Sequence, residues 1–391
     1  MKRQCWDVLA VFLTVLGITA IATTAWAAPG DLLVTFQNPY PQPDDAFGYS
    51  LAVSGNCLAV GDPRSDLGAD QAGAVYLFDA RTGAYIRTLQ HPAPAFHDFL
   101  GFSLAATDVG FFAGAISRGA GYLFDAQSGG VLWSASGPPT FGWSAAVLQD
   151  DIALGNMGYA CVLDGKTGAT KMSIPSPSPG YFGYSIAATD GRVLVGHPSI
   201  GAYIFDAVTG ALLRTFVDPQ VGATLDFGIS VAFLQSKFVV GATTDDGRGG
   251  YPGAVYVFDG STADLLLSLT SPTSSGGDCF GLRVAAVGDD ILVGAPRDDT
   301  LGADAGSAFL FDGTTGALLV TYLSPGPAPG DWFGSSLAAY GLDVAIGYGS
   351  RERQEAYLFE GIPEPATLLL LALGGLALLG RRRVARRTDR P

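Results

Sequence analysis

Carboxylates recur at short spacing in two loop-like stretches of this 391-residue chain. Asp62, Asp66 and Asp70 stand in GDPRSDLGADQAG, and Asp298, Asp299 and Asp304 stand in GAPRDDTLGADAG. A third stretch, GATTDDGRGG, carries Asp245 and Asp246. Separations of up to four or five residues, with Gly68 and Gly302 between to let the chain fold back, would aim two or three oxygens at one point. Hard cations take clustered carboxylates and carbonyls, so calcium is the cofactor such loops would suit. The bland alternative is a solvated acidic surface. Other reactive side chains offer less. His91, His97 and His197 have neither metal nor triad spacing. Past Cys5, Cys57, Cys161 and Cys279 lie far apart, with no close spacing to suggest a disulfide.

Two further residue types recur too often to be catalytic. Asp-x-x-Thr-Gly appears at 79–83, 164–168, 206–210 and 312–316. There Asp and Thr can cap the backbone of a tight turn, and the glycine accepts a positive φ. A serine follows two residues after a recurrent Phe-Gly or Leu-Gly, as at Ser50, Ser103, Ser185 and Ser336. A side chain used in so many copies is read as structural.

The elements that must position these residues follow from the same recurrence. The Phe-Gly glycine falls at 48, 101, 142, 183, 228, 281 and 334. Each copy continues with a small-residue strand and then a strand ending in Gly, such as LAVGDP or ILVGAP. A third strand like GAVYLFD follows, and a fourth lies beyond the turn. Four strands repeated seven times is the period of a propeller blade. The 54 glycines and 23 prolines suit short strands joined by tight turns. Tyr76, Tyr122, Tyr203, Tyr256 and Tyr357, with Cys161 and Phe309, form one column of the third strand. Phe78, Phe124, Leu163, Phe205, Phe258, Phe311 and Phe359 stand two residues on, while Val75 and Leu77 fill the other face. Blades apolar on both faces must be sandwiched between neighbours, which a ring achieves. The expected fold is all-β, a seven-bladed propeller over residues 28–360. The seventh unit stops at Phe359 with three strands, and DLLVTFQNP at 31–39 reads as its missing fourth, with Leu33 or Phe36 buried. Ring closure by the N-terminal strand would remove an unpaired edge.

Both ends stand apart from this body. Lys2 and Arg3 precede an apolar run, and Ala25 and Ala27 occupy the small-residue positions of a signal-peptidase site. Residues 1–27 are therefore read as a signal peptide. At the other end Pro363, Glu364 and Pro365 precede ATLLLLALGGLALLG and then Arg381, Arg382 and Arg383. Fifteen apolar residues make a helix of about 22 Å, short of a ~30 Å hydrocarbon core. Basic residues at both extremes keep the ends cytoplasmic and put the body outside the inner membrane. Over residues 28–360 there are 14 basic and 33 acidic side chains, a formal charge of −19. That charge argues against nucleic acid or anionic polymers as partners and favours cations or basic ligands.

The tripartite tail over 361–391 resembles the PEP-CTERM sorting signal of Gram-negative bacteria. The resemblance implies transient membrane insertion, removal by an exosortase, and delivery to the cell surface or extracellular matrix; a permanent anchor is the alternative. The succession F-G-x-S-x-A, V-G-A-P and G-A-V-Y-x-F-D resembles the FG-GAP repeats of integrin alpha-like propellers, which implies a non-catalytic adhesion or binding module for a polysaccharide or protein. Such propellers often carry a D-x-D-x-D-G calcium loop between the first and second strands. Here that link is only VSGN, LQDD, ATDG or VGDD, too short for the loop. FDAQSGGVLW at 124–133 resembles the repeats of quinoprotein dehydrogenases, but only this unit has the Trp, Trp133, and an adjacent cysteine pair is missing. A purely structural surface protein fits the same residues.

Overall fold

The structure, a computed structural model, describes residues 27–189, 191–198, 200–220, 226–243, 252–273, 276–350 and 353–362. Among them lie twenty-eight strands, β1 to β28 in chain order, in seven four-stranded antiparallel sheets. Blade 1 is typical: β2 (Ser50–Ser54), β3 (Cys57–Asp62), β4 (Ala74–Asp79) and β5 (Tyr85–Leu89) pair in chain order from the axis outward. Its innermost strand is followed around the axis by β6 (Leu100–Ala106), β10 (Ser144–Leu148), β14 (Ser185–Thr189), β18 (Phe227–Leu234), β22 (Arg283–Val287) and β26 (Phe333–Tyr340). Neighbours in this series touch, and β26 returns to β2. Of the expected signal peptide, residues 1–26 with Ala25 lie outside the described residues, as does the tail from Pro363 through Glu364, Pro365 and Arg381 to Arg383; Ala27 is the first described residue.

Third-strand alternation builds the core in the way the sequence columns require. The Tyr and Phe of one blade pack against the aliphatic face of the blade before it. Tyr122 and Phe124 meet Val75 and Leu77, Tyr256 and Phe258 meet Ile204, and Tyr76 and Phe78 meet Leu358. Each buried side chain of this size contributes about 1.5–3 kcal/mol. Seven seams between like blades thus divide the core into seven similar clusters.

The last of those seams is completed by the N-terminus. β1 (Leu32–Gln37) pairs antiparallel with β28 (Glu355–Phe359), Thr35 opposite Tyr357 and Phe36 opposite Ala356. The last sheet therefore runs β1, β28, β27 (Asp343–Tyr348), β26. Phe36 is fully buried and meets Phe78 edge-on with ring centroids 5.5 Å apart. Leu33 is 36% exposed, so of the two side chains expected to be buried, Phe36 is the one that is. The alternation along β1 turns Leu33 outward.

The repeat's most frequent letters are explained by contacts between blades. Every Phe-Gly glycine has φ between +77° and +96°, a region that favours glycine. Its carbonyl is turned onto the preceding blade. There the serine hydroxyl donates to it: Ser50 to Gly101, Ser103 to Gly142, Ser144 to Gly183, Ser185 to Gly228 and Ser230 to Gly281, at 2.6–2.9 Å. Ser336 donates to Gly48 and closes the series around the ring. The glycine that ends each second strand is required by the same carbonyl. A Cβ at Gly61, Gly114, Gly155, Gly196, Gly241, Gly294 or Gly347 would lie 2.0–2.3 Å from it. One blade breaks the pattern, since Arg283 stands where the others have serine.

Candidate functional site

The loops between second and third strands share a face with the links between blades. His97 N–H donates to the Asp70 carbonyl at 3.0 Å, and Trp332 N–H to the Asp304 carbonyl at 3.1 Å. The described acidic residues of these loops therefore lie on one side of the ring, yet most are engaged by backbone N–H groups. Asp62 is fully buried; its Oδ1 accepts from Ala46 N–H at 2.8 Å and its Oδ2 from Asn38 Nδ2 at 3.3 Å. Asn38, just past β1, also donates to Asp45 Oδ2 at 3.0 Å and to Gln354 Oε1 at 2.7 Å. Burial, with the neighbouring Asp45 charge, pushes Asp62 up to about 7, and burial raises Asp45 to about 6.

At Asp66, Asp298 and Asp299 the carboxylates act as caps. Exposed Asp66 accepts from Gln71 N–H at 2.9 Å, and exposed Asp299 accepts from Asp304 N–H at 2.7 Å. Gln71 and Asp304 share a positive φ, +50° and +52°. These two loops are thus alike, but with Gln71 matching Asp304, so their common LGAD letters are one residue out of structural register. Asp70 is exposed, while buried Asp298 accepts from Thr300 N–H at 2.9 Å and Ser307 Oγ at 3.0 Å. Asp245 and Asp246 lie outside the described residues. In the links, Asp45, Asp98 and Asp331 each accept from the N–H three residues earlier, and Arg118 and Arg353 pair with the last two. Among the described residues no three His, Cys, Asp or Glu side chains gather as they would around a metal ion.

The other reactive types are also accounted for by local structure. Asp79 Oδ1 accepts from Arg81 N–H, Thr82 N–H and the Thr82 hydroxyl at 2.8–3.1 Å. The same cap at Asp164, with the Thr167 hydroxyl first and Lys171 beside it, holds that carboxyl near 2. Buried His91 meets the Tyr122 hydroxyl, and buried His197 lies 3.2 Å from the Pro179 carbonyl. Cys57, Cys161 and Cys279 form no disulfide among the described residues.

The mouth of the central channel is where the blades stop being alike. The residue between the Phe-Gly glycine and the serine points there. It is aromatic in four consecutive blades: Tyr49, Phe102, Trp143 and Tyr184. Their ring centroids are 4.9, 4.7 and 5.7 Å apart in turn, and the planes are tilted by 44–50°, which makes a curved wall. Ile229 continues it, and the inner ends of all seven first strands form the floor of a cavity of about 240 Å³. Arg283 is the one charged side chain lining this cavity. Sequence reasoning passed over the arc because it treated the serine as the informative position. The signal was present in FGYS, LGFS, FGWS and FGYS, four aromatics at one variable place.

Comparison with known proteins agrees with this architecture. Residues 41–78 and 267–311 match the FG-GAP repeat, and residues 361–383 match the PEP-CTERM protein-sorting motif. The chain is a seven-bladed propeller that carries FG-GAP repeats and a PEP-CTERM sorting motif. That tail marks the propeller for export in a Gram-negative bacterium and implies processing by an exosortase. No curated protein matches the chain. Among solved structures, the crystal structure of the computationally designed Ika8 protein aligns with a TM-score of 0.55 at 18% identity, covering 85% of this chain and 100% of the other. The likeness is one of fold alone.

Proposed function

We propose that this FG-GAP propeller is a non-catalytic binding module of the cell surface or extracellular matrix, and that it engages its ligand at the channel mouth. The observation that carries the reading is the unbroken arc of Tyr49, Phe102, Trp143 and Tyr184 around a concave site. Half-exposed aromatic rings in a concavity bring much contact area at little entropic cost. The recurrent Asp, Ser and Thr side chains are all engaged in caps and latches, so no set of them is poised as nucleophile and base. A glycan and protein array probed with the intact protein and with Trp143→Ala tests the reading: the variant is expected to lose the spots that the intact protein lights. Identical patterns would move the binding surface elsewhere.

Export sets where that ligand is met. The tail acts as a removable address, and the surface form lacks Leu368 to Leu379. Intact-mass measurement on protein recovered from its host checks this, a retained tail meaning a permanent anchor.

A further inference from the structure

We infer that the channel mouth takes a uronic acid residue, a hydroxylated six-membered ring bearing a carboxylate, presented by a polysaccharide. The inference rests on the mouth being the binding site and goes on to name what fills it. Three features of the lining have to be matched at once. The wall offers the faces of Tyr49, Phe102, Trp143 and Tyr184, which suit the apolar C–H face of a sugar ring. Beneath it, half-exposed Ser50, Ser144 and Ser185 have given their only hydrogens to Gly101, Gly142's successor Gly183, and Gly228. What remains on those oxygens is lone pairs, which call for a ligand rich in hydroxyl donors. Arg283 supplies the third feature. Its Nη1 donates to the Leu282 carbonyl at 2.9 Å, and among the described residues no carboxylate pairs with it. A guanidinium with free donors beside an apolar wall suits a carboxylate held by two parallel hydrogen bonds.

Other ligand classes leave one feature unmet. An acidic protein side chain would answer Arg283 but brings no hydroxyl donors and leaves the arc unfilled. A neutral sugar would answer the arc and the serines and leave the guanidinium bare. The cavity, about 240 Å³, is smaller than the roughly 300–1,000 Å³ of sites that enclose a whole small molecule, which fits one residue of a longer chain. The propeller's acidic body does not forbid this. Of the rim carboxylates, Asp98 and Asp331 are paired with Arg118 and Arg353, burial raises Asp45 and Asp62 toward their neutral forms, and exposed charges more than about 8 Å apart are largely screened at physiological salt.

Calorimetric titration of the full chain tests the assignment, using trimers of galacturonate, glucuronate and mannuronate, with galactotriose and a hexaglutamate peptide as comparators. At least one uronate trimer is expected to bind ten or more times tighter than galactotriose and hexaglutamate. Arg283→Ser, which installs the residue six other blades carry, is expected to erase that preference and leave the neutral trimer unaffected. Trp143→Ala should weaken both. If Arg283→Ser keeps the preference, or hexaglutamate competes equally, or no uronate binds, the assignment is overturned. Loss of binding in Trp143→Ala alone would keep the mouth and reject the uronate; no loss in either variant would reject both.

Discussion

Asp62 and Asp45 show how far a side chain's role depends on neighbours remote in sequence. Both carboxyls are raised above their ordinary value of 3.8, to about 7 and about 6, chiefly by burial, so the folded state holds protons that the unfolded chain releases. Their contribution is therefore most favourable below about pH 4 and is lost as pH rises toward 7. The turn aspartates Asp79, Asp125, Asp164, Asp206, Asp259 and Asp312 are shifted down, and their contribution is lost only as pH falls below their ordinary value. The melting temperature is thus expected to climb as pH is lowered from about 8 to about 5 and to drop below about 4. Asp62→Asn should flatten the climb, and a wild-type profile level from pH 8 to 5 would contradict the placement of this pair. The turn caps were legible in the sequence because Asp and Thr act within five residues. The loop aspartates were not, because Asp62 is met by Asn38 and Ala46 across the ring closure, and Asp66 and Asp299 by amides five residues on. With one oxygen each of Asp66 and Asp299 turned to its own loop and no three such side chains gathered among the described residues, melting in calcium and in chelator at matched ionic strength is expected to coincide; a higher melt in calcium, abolished by Asp66→Ala with Asp299→Ala, would support a calcium site.

Between elements, each seam leaves one carbonyl no room for a side chain opposite it. Gly241→Ala would drive a Cβ to 2.0 Å from the Gly281 carbonyl and should cost at least about 2 kcal/mol, by overpacking. Gly130→Ala meets only the Ser128 hydroxyl, at 3.4 Å, and should stay within about 0.5 kcal/mol. Denaturant midpoints compare the two directly. Ring closure makes a second pair: Phe36→Ala should cost about 3–5 kcal/mol, and Leu33→Ala less than about 1 kcal/mol. Equal costs would mean that β1 does not seal the last blade. The sequence showed the strands, their number and the need for β1, since period-two columns and seven similar units are local patterns. It hid the reason for its commonest letters. Ser144 and Gly183, or Gly241 and Gly281, are about forty residues apart and meet only when blades stack.

At the scale of the whole molecule, closure fixes on which side of the ring the strands β1 and β28 meet relative to the channel mouth. Gly30 N–H donates to the Glu360 carbonyl and Glu360 N–H to the Asp31 carbonyl, so the first and last described strands of the propeller end side by side. The Phe-Gly ends of the first strands and the interblade links lie at the opposite side of the blades, so the mouth faces away from Gly30 and Glu360. Acidic rim and aromatic mouth share that clear side, and either would serve an exported binding module. Their contributions separate in one array measurement with two variants. Ala145→Trp fills the channel without touching the rim loops, whereas Asp66→Asn, Asp70→Asn and Asp299→Asn together discharge the rim without touching the channel. Loss of binding with the filled channel and retention with the discharged rim is the result predicted here; retention with the filled channel and loss with the discharged rim would contradict it.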